Sequence, residues 1–480
     1  MNNFEVVIGI ENHVELKTKS KMFCTGPVEY GATPNTKVSE TDLGYPGALP
    51  TVNKKGVELA ILAVNALGMK LDSKLRFDRK SYFYPDLAKG FQITQQFYPI
   101  GKRGKIEIEL SNGEKKTITV ERIHIEEDTA KQTHKDELTF LDYNRSGVGL
   151  IEIVSDPVIR SAEEAVAYVE KLREILLFSE ISDVKMNEGS LRCDINISLR
   201  PIGYQGFGTK VEIKNLNSLS NIKKSIEFEI KRQTELLLNN EPIAMETRRF
   251  DEGKQETILM RTKTDAVDYR YFREPNIPPI QLDVNWIKEV IKSAPELADV
   301  KRTRYAKEFN IKPDEINQIL SSLEINQFFE ATLKYTKNYS KVANLLLGDI
   351  QSLLNKDEIE IQNAKIKPKH IGELLSLIDE GVISSKHVKT ILPILIQNGG
   401  EVNKIIDDNN LKQISDPFKI EEYLKPIFDE NIELLNQFEK RPERVTKTLM
   451  GQLMKETGGN VNPDVAQSII LQMIEKYIKK

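Results

Sequence analysis

The sequence predicts an α+β protein, in which an N-terminal cradle of mainly antiparallel β-sheet with covering helices precedes an all-helical domain and a small helical tail domain. Segments of alternating polarity dominate the first part of the chain, and this alternation is typical of half-buried strands. From Val284 onward the apolar residues recur at helical spacing instead. The change of pattern follows a proline-rich stretch at residues 275–279. These three observations determine the predicted fold class.

The length and composition indicate a globular protein of several domains. At 480 residues the chain is too long for a single core, and we expect a cradle domain at 1–290, a helical linker domain at 291–408 and a tail domain at 409–480. Charged residues make up 29% and hydrophobic residues 39%, which is ordinary for such proteins. The formal net charge of -4 means that a nucleic acid would have to bind local basic patches.

Membrane and secretory classes are not expected. No apolar run approaches the length of a membrane span, and a strand pattern begins near the N-terminus in place of a leader peptide. Two cysteines, Cys24 and Cys193, are too few for a disulfide framework or a four-cysteine zinc site. We therefore predict a cytoplasmic protein with no membrane partner.

The first predicted strand, residues 5–16, carries ionisable side chains on one face. With a period of two, apolar residues such as Ile8 and Ile10 share one side, and Glu11, His13 and Glu15 share the other. Two carboxylates flanking an imidazole are able to bind a hard cation. The more frequent alternative is a solvated polar face, which every half-buried strand needs.

The following elements are predicted in order. A helix over residues 57–67 is stopped by Gly68, and another begins at the capping-box pattern of residues 161–164. A third helix starts near residue 219. All three carry an apolar stripe, so we expect them to cover the sheet.

Three further predicted strands offer carboxylates. The hairpin at residues 105–128 turns at an Asn-Gly pair and ends in an acidic run that includes Glu126 and Glu127. The strands at 191–200 and 209–214 direct Asp194 and Glu212 outward. An exposed strand end is the commoner meaning of such an acidic run, and a set of metal ligands is the alternative.

Aromatic and charged residues alternate in two loops. Residues 77–86 and 268–272 mix tyrosines and phenylalanines with arginine, lysine and aspartate. Such mixtures suit phosphate or nucleic-acid contact. A tightly packed structural loop is the alternative.

Several catalytic classes are excluded by absent motifs. The sequence contains no P-loop, no kinase-type glycine-rich loop with a His-Arg-Asp element and no nucleophile elbow. The strand acids support one remaining kind of site, in which oxygen ligands and at most one imidazole bind Mg²⁺. The residues therefore predict metal-assisted phosphoryl transfer on a sheet, without naming a substrate.

The tail domain carries a group of cations that could dock on an RNA backbone. Its members are Lys440, Arg441, Arg444, Lys447 and Lys455. A solvated helix face is the more frequent meaning of such charges.

Several long motifs, in the same order along the chain, resemble those of the B subunits of aspartyl/glutamyl-tRNA amidotransferases. They are residues 7–16 (VIGIENHVEL), 77–86 (FDRKSYFYPD), 188–196 (EGSLRCDIN) and 214–218 (KNLNS). The resemblance implies a ligase subunit in a heterotrimer with a glutaminase A subunit and a small C subunit. It also implies that ATP and Mg²⁺ are used to phosphorylate the side chain of Glu-tRNA(Gln) or Asp-tRNA(Asn), before ammonia displaces the phosphate.

Carried over position by position, the resemblance assigns roles to single residues. It implies metal and phosphate-site functions for Glu11, His13, Glu127, Glu212 and the nearby Asp194.

Strand alternation places Glu126 beside His124, so Glu126 remains a close alternative to Glu127. Lys80 is similar to the residue at the exit of the family's ammonia channel, where a lysine–glutamate pair could gate ammonia. Tyr82 and Asp86 are expected to line the same pocket.

The sequence departs from the family pattern at a zinc site. Many relatives have four cysteines between the positions that match 24 and 42, whereas only Cys24 is present here. We therefore expect no zinc and a loop held by packing.

A tRNA-binding scaffold without catalysis of its own is the alternative function, favoured by the basic tail and the helical half.

Overall fold

The computed structural model describes residues 3–262 and 268–478. The chain divides into two compact units, Met1–Ala298 and Asp299–Lys480. The named strands all lie in the first unit, and the described part of the second is built on helices. This arrangement confirms the predicted α+β class.

The first unit is built on a nine-stranded sheet with three smaller sheets around it. The strands are β1 (Phe4–Glu15), β2 (Lys70–Leu71), β3 (Lys74–Leu75), β4 (Asp78–Ser81), β5 (Phe91–Thr94), β6 (Gly101–Glu109), β7 (Lys115–Glu127), β8 (Lys131–Lys135), β9 (Leu138–Asp142), β10 (Gly149–Ser155), β11 (Leu191–Pro201), β12 (Val211–Leu216), β13 (Glu246–Asp251), β14 (Glu256–Thr262), β15 (Phe272–Arg273) and β16 (Ile280–Gln281).

The large sheet has the order β14-β13-β12-β11-β1-β10-β7-β6-β2, and the smaller ones are β15-β4-β5, β16-β3 and β8-β9. Among the strand pairs of the described residues, only β12 and β13 run parallel. The first strand therefore lies in the middle of the large sheet, although it comes first in the chain. Its neighbours β10 and β11 are contributed by segments more than 130 residues later.

Helices cover the apolar face of this sheet. They are α1 (Lys54–Ala66), α2 (Ala162–Phe178) and α3 (Leu219–Leu238), and α4 (Val284–Lys292) packs against α1. Gly68 follows α1 with a φ of 60°, a conformation that glycine adopts without a steric cost. Ser161 caps α2 by accepting a hydrogen bond from the Glu164 N–H. The predicted stop after α1 and the predicted start of α2 are thus both present in the structure.

One core joins the sheet to these helices. Ile8 and Ile10 of β1, Ile61 of α1 and Leu172 of α2 are all buried in it. Fully burying side chains of this size stabilises the fold by about 1.5–3 kcal/mol each. The core thus fixes which face of β1 turns inward.

The second unit is helical throughout its named elements. These are α5 (Ala298–Lys307), α6 (Pro313–Ile319), α7 (Leu323–Thr332), α8 (Tyr339–Leu345), a π-helix (Leu346–Ile350), α9 (Gln351–Lys356), a 3₁₀ turn (Ile361–Asn363), α10 (Pro368–Asp379), α11 (Ser385–Gln397), α12 (Val402–Asp408), α13 (Pro417–Glu430), α14 (Ile432–Leu435), α15 (Pro442–Glu456) and α16 (Pro463–Ile478). A separate apolar cluster joins α13, α15 and α16. The predicted boundary at residue 408 stays a prediction.

None of the helices described is both long and apolar enough to cross a membrane.

The loop after β1 contains a buried ion pair that the sequence did not predict. Lys21 Nζ lies 2.6 Å from Asp42 Oδ2, and both side chains are at most 2% exposed. The Cys24 thiol lies 3.4 Å from the other Asp42 oxygen, and the Ser39 N–H donates to Asp42. In addition to packing, this loop therefore contains a buried ion pair, in which each charge depends on the other for compensation.

We predict that Asp42→Ala lowers the free energy of unfolding of the first unit by about 3–5 kcal/mol, because it leaves the Lys21 ammonium buried without a counter-charge. The chain's single tryptophan, Trp286, packs against the core of the first unit, so its fluorescence during urea unfolding reports on that unit. The double variant Lys21→Met, Asp42→Leu should recover most of the loss.

The matched control is Lys37→Ala, which removes a partly exposed ion pair with Glu29 in the same loop. It should cost at most about 1 kcal/mol. Equal losses for the two single variants would contradict the structural role of the buried pair.

Candidate active site

The middle of the large sheet presents a polar face opposite the apolar core. Five neighbouring strands form it, in the order β12-β11-β1-β10-β7. Side chains alternate along a strand, so the residues between buried apolar positions share this face. On β1 the positions of Ile8, Ile10 and Val14 are buried, and Glu11 and His13 therefore point to the polar side.

Strand register aligns four ionisable residues in a row across the sheet. His13 on β1 lies opposite Glu152 on β10 and opposite Arg192 on β11. Glu152 lies opposite His124 on β7. Residues that face each other across antiparallel strands have their side chains on the same face. The backbone alone therefore brings these four groups together.

Three of the polar-face residues form what we call the histidine cluster: His13, Glu126 and Glu152. Each offers a ligand atom within 4.8 Å of the other two. His13 Nε2 lies 3.6 Å from Glu126 Oε1 and 3.8 Å from Glu152 Oε2. Ligands of a hard divalent ion at bond lengths of about 2.0–2.6 Å are separated by comparable distances. The cluster is therefore shaped for a cation.

His124 supports the two carboxylates of this cluster from β7. Its Nε2 lies 2.9 Å from Glu152 Oε2 and 3.3 Å from Glu126 Oε2. Burial lowers the pKa of His124, but the negative charges of Glu152 and Glu126 outweigh it and raise that pKa to about 9. Burial raises the pKa of Glu152, and the imidazolium of His124 reverses the effect and holds it well below its usual range. Glu152 is thus held as an anion.

A second group, which we call the acid cluster, consists of Glu11, Asp194 and Glu212. Their ligand oxygens also lie within 4.8 Å of one another. Glu11 faces Asp194 across β1 and β11, and the Asn196 amide donates to Glu11 at 2.9 Å. Burial raises the pKa of Glu11, and repulsion from Glu152 and Asp194 raises it further. The protein therefore concentrates negative charge here at an electrostatic cost.

Lys214 on β12 offsets part of that charge. Its Nζ lies 2.7 Å from Asp194 Oδ2 and 3.2 Å from Glu212 Oε1. Burial lowers the pKa of Lys214, but the two carboxylates outweigh it and raise that pKa. A small cavity of about 250 Å³ is lined by Lys214, Asp194, His13 and Arg192 among others. Two cations and members of both clusters therefore face one cavity.

The donor sets of both clusters fit a divalent cation. Three carboxylates in the acid cluster match Mg²⁺, which takes few protein oxygens and keeps its other positions for water or phosphate. The histidine cluster adds an imidazole, which first-row transition metals accept more readily. The repulsion that raises the pKa of Glu11 is the kind of strain a cation would relieve.

The structure separates Glu126 from Glu127. Glu126 belongs to the histidine cluster, whereas the Glu127 carboxylate binds the Lys89 ammonium and accepts a hydrogen bond from the Ile93 N–H at 2.9 Å. Neighbouring residues on a strand point to opposite faces, so both acids cannot reach His13. Glu127 and Glu15 are thus the strand acids of the sequence-predicted set that neither cluster includes.

Lys80, Tyr82 and Asp86 line a second cleft of about 1030 Å³. Lys80 Nζ lies 4.8 Å from the centre of the Tyr269 ring, and its charge helps to lower the pKa of Glu152. Burial raises the pKa of Tyr82, and the charges of Glu126 and Asp86 add to this effect. The cleft therefore lies beside the histidine cluster.

The five tail cations lie within the second unit. Lys440, Arg441, Arg444, Lys447 and Lys455 are all exposed, and most lie around the first turns of α15. Arg441, Arg444 and Lys447 line a shallow groove of about 730 Å³. The structure thus leaves these charges accessible to a polyanion.

Sequence reasoning missed Glu152, Arg192 and Lys214 as site residues. Glu152 is the single charged residue in the apolar run at residues 148–154, and this isolation was the available signal. Arg192 and Lys214 share the outward faces of their strands with Asp194 and Glu212, and the alternation shows no more than that. Their closeness to the clusters depends on strand order, which local patterns do not reveal.

Comparison with known proteins covers the whole chain. A family model described as the GatB/GatE catalytic domain matches residues 6–288, and one described as the GatB domain matches residues 327–474. The chain is similar to proteins named as the B subunit of aspartyl/glutamyl-tRNA(Asn/Gln) amidotransferase. The one from Mesoplasma florum is 60% identical over 480 residues, and the one from Mycoplasma mycoides subsp. mycoides is 61% identical over 479, each covering 100% of both chains. The Staphylococcus aureus protein is 44% identical over 99% of this chain and 100% of its own.

We predict that Glu126→Gln weakens Mn²⁺ binding at least about tenfold, because it removes one anionic ligand from the histidine cluster. Glu127→Gln is the matched control on the same strand and should leave the affinity unchanged while lowering stability. Titration followed by electron paramagnetic resonance measures both. A larger loss for Glu127→Gln than for Glu126→Gln would contradict the assignment.

Proposed function

The chain belongs to the family of B subunits of aspartyl/glutamyl-tRNA(Asn/Gln) amidotransferases, which are tRNA-dependent ligases, and we propose that it activates the carboxylate of a misacylated tRNA with ATP. The observation that carries this proposal is that the two clusters each contribute a residue, His13 and Asp194, to one cavity that Lys214 and Arg192 also line. Carboxylates suited to divalent ions, combined with nearby cations, are the recurring parts of phosphoryl-transfer sites.

The proposed reaction has two steps. A side-chain carboxylate oxygen of Glu-tRNA(Gln) or Asp-tRNA(Asn) attacks the γ-phosphorus of ATP, and ADP leaves. Ammonia then attacks the acyl carbon, inorganic phosphate leaves with the proton lost from nitrogen, and the amide is formed. The first step is needed because a carboxylate resists nucleophiles, whereas an acyl phosphate has a good leaving group.

Each cluster has a part in the first step. Mg²⁺ bound there would neutralise phosphate charge and orient the reacting oxygens. At the cavity itself the histidine cluster is represented by His13 and the acid cluster by Asp194, so these two residues would hold a cation that faces it. Lys214 and Arg192 face the same cavity and supply positive charge where negative charge develops on the phosphate oxygens.

The second step concerns the cleft beside the histidine cluster. We propose that ammonia arrives there from a glutaminase A subunit, in a heterotrimer that a small C subunit completes. Lys80, Tyr82 and Asp86 line this cleft. A partly enclosed cleft next to the activated carboxyl would favour ammonia over water.

We predict that His13→Ala lowers the rate of ATP hydrolysis stimulated by misacylated tRNA at least about 100-fold in the reconstituted heterotrimer, because it removes a ligand of the histidine cluster. The matched control is His134→Ala, which changes an exposed histidine on β8.

Binding of tRNA by both variants should remain intact in a filter-binding assay. Full transamidation by the His13→Ala variant would support the alternative function, a non-catalytic tRNA-binding scaffold.

A separate prediction concerns the tail. The triple variant Arg441→Ala, Arg444→Ala, Lys447→Ala should weaken tRNA binding at least about tenfold and reduce its salt dependence, because fewer counterions are released. Glutaminase activity in the A subunit should persist.

The matched control removes three exposed lysines elsewhere in the second unit, namely Lys356, Lys369 and Lys389. Equal losses of tRNA affinity in the two triple variants would show that the tail cations act only through net charge.

A further inference from the structure

The Lys214 ammonium lies between two carboxylates of the acid cluster. Its Nζ is 2.7 Å from Asp194 Oδ2 and 3.2 Å from Glu212 Oε1, and these acids come from the neighbouring strands β11 and β12. Both distances are hydrogen-bonding distances. The lysine therefore binds two of the three acids whose ligand oxygens lie within 4.8 Å of one another, as a bound cation would.

The cluster also contains oxygen atoms beyond the two that Lys214 contacts. Glu11 accepts a hydrogen bond from the Asn196 amide nitrogen at 2.9 Å. The Asn196 Oδ1 atom belongs to the same amide group and is buried, and no hydrogen-bond partner for it is present among the described residues. Buried polar atoms normally have a partner, and amide oxygens are common ligands of hard cations. The cluster thus offers an amide oxygen in addition to its carboxylates.

An ammonium and a divalent ion would compete for the same place. Hard divalent ions bind carboxylate oxygens at about 2.0–2.6 Å, and the oxygens of Asp194 and Glu212 that such an ion would use are those that Lys214 contacts. Two cations at so short a separation repel each other strongly. Binding of a divalent ion between these two acids therefore requires the ammonium of Lys214 to leave.

The Lys214 side chain has space into which it can move. It lines the cavity of about 250 Å³ that His13 and Arg192 also line. A lysine has a flexible stem, so its ammonium can turn toward the cavity without displacing the strand. Arg192, in contrast, is bound to Asp128 at 2.7 Å, outside the acid cluster. Lys214 is therefore the cation of this cavity whose position depends directly on the occupancy of the acid cluster.

We propose that Lys214 is a resident counter-ion of the acid cluster, and that its ammonium leaves Asp194 and Glu212 for the cavity when a divalent cation binds there. The inference rests on the proposed function only for the presence of a divalent ion at this cluster. The lysine offsets part of the repulsion between the acids while the cluster holds no ion. Its release then supplies a positive charge to a phosphate group in the cavity, so that the binding of metal and of phosphate is coupled.

The first test measures Mn²⁺ binding to the full-length chain by electron paramagnetic resonance. A His13→Ala background removes a ligand of the histidine cluster, so that the acid cluster is followed. In this background Lys214→Met keeps the stem and removes the charge. It should tighten Mn²⁺ binding at least about tenfold, because no like charge competes for the site. Lys214→Arg retains the charge and should not tighten binding.

The matched control is Lys116→Met on β7. The exposed fraction of the Lys116 side chain is 27%, against 33% for Lys214, and its Nζ lies 2.7 Å from Glu164, an acid outside both clusters. This variant should leave Mn²⁺ affinity unchanged. Unchanged or weaker Mn²⁺ binding in the Lys214→Met variant would overturn the proposal. Equal tightening in the Lys116→Met variant would also overturn it, since the effect would then come from net charge.

A second test follows Lys214 in the chain without substitutions, and it therefore does not depend on the stability of any variant. Brief treatment with acetic anhydride, followed by mass spectrometry, measures the acetylation of each lysine. Addition of Mg²⁺ should increase acetylation of Lys214 at least about threefold, because ion binding shifts the population toward the released side chain. Lys116 is the internal reference and should not change. Equal acetylation of Lys214 with and without saturating Mg²⁺ would contradict the exchange.

Failure of the proposed function would give a different result. If Mg²⁺ releases Lys214 but the heterotrimer does not hydrolyse ATP, the proposed function is disproved and the exchange stands. If Mn²⁺ binds neither the His13→Ala chain nor its Lys214→Met derivative, the exchange is disproved, whereas ATP hydrolysis that depends on the histidine cluster would still support the proposed function.

Discussion

The antiparallel register of β1 between β10 and β11 is the constraint on which the candidate site depends. It sets His13 opposite both Glu152 and Arg192, and Glu11 opposite Asp194. A slip of one residue would turn these groups into the core. The buried isoleucines of β1 oppose such a slip, because each would lose its burial at once. The hydrophobic core therefore holds the charged site in register.

Concentrating acids on this face has an electrostatic cost that neighbouring cations offset. His124 stabilises the carboxylates of the histidine cluster, and Lys214 bridges two acids of the other. The clusters also influence each other, since the charge of Glu152 contributes to the raised pKa of Glu11. Positive charge bound at one cluster would consequently ease repulsion at the other. Two separate sets of ligands thus behave as one electrostatic unit.

Buried ion pairs elsewhere in the first unit show which acids are committed to structure. Asp42 binds Lys21, Glu127 binds Lys89 and Glu274 binds Arg79. In each pair the carboxylate is almost fully buried and faces a cation that is not its neighbour in the sequence. Such an acid has a structural role, because removing either member of the pair would leave the other charge buried without compensation. Adjacent acids such as Glu126 and Glu127 therefore have different environments despite identical chemistry.

The sequence by itself determined the strands and the side of each strand on which a residue lies, because alternation with a period of two is a local property. Glu11, His13, Asp194 and Glu212 could be assigned to polar faces for this reason, and the helix ends followed from local capping signals. The hairpin of β6 and β7 followed from its Asn-Gly turn, but only the tertiary structure decided which of the other strands are neighbours. That decision brought Glu152 and Arg192 to His13, and it directed Glu127 to Lys89, through pairings between residues far apart in the chain. Such pairings depend on how the whole core packs, and no local pattern encodes that.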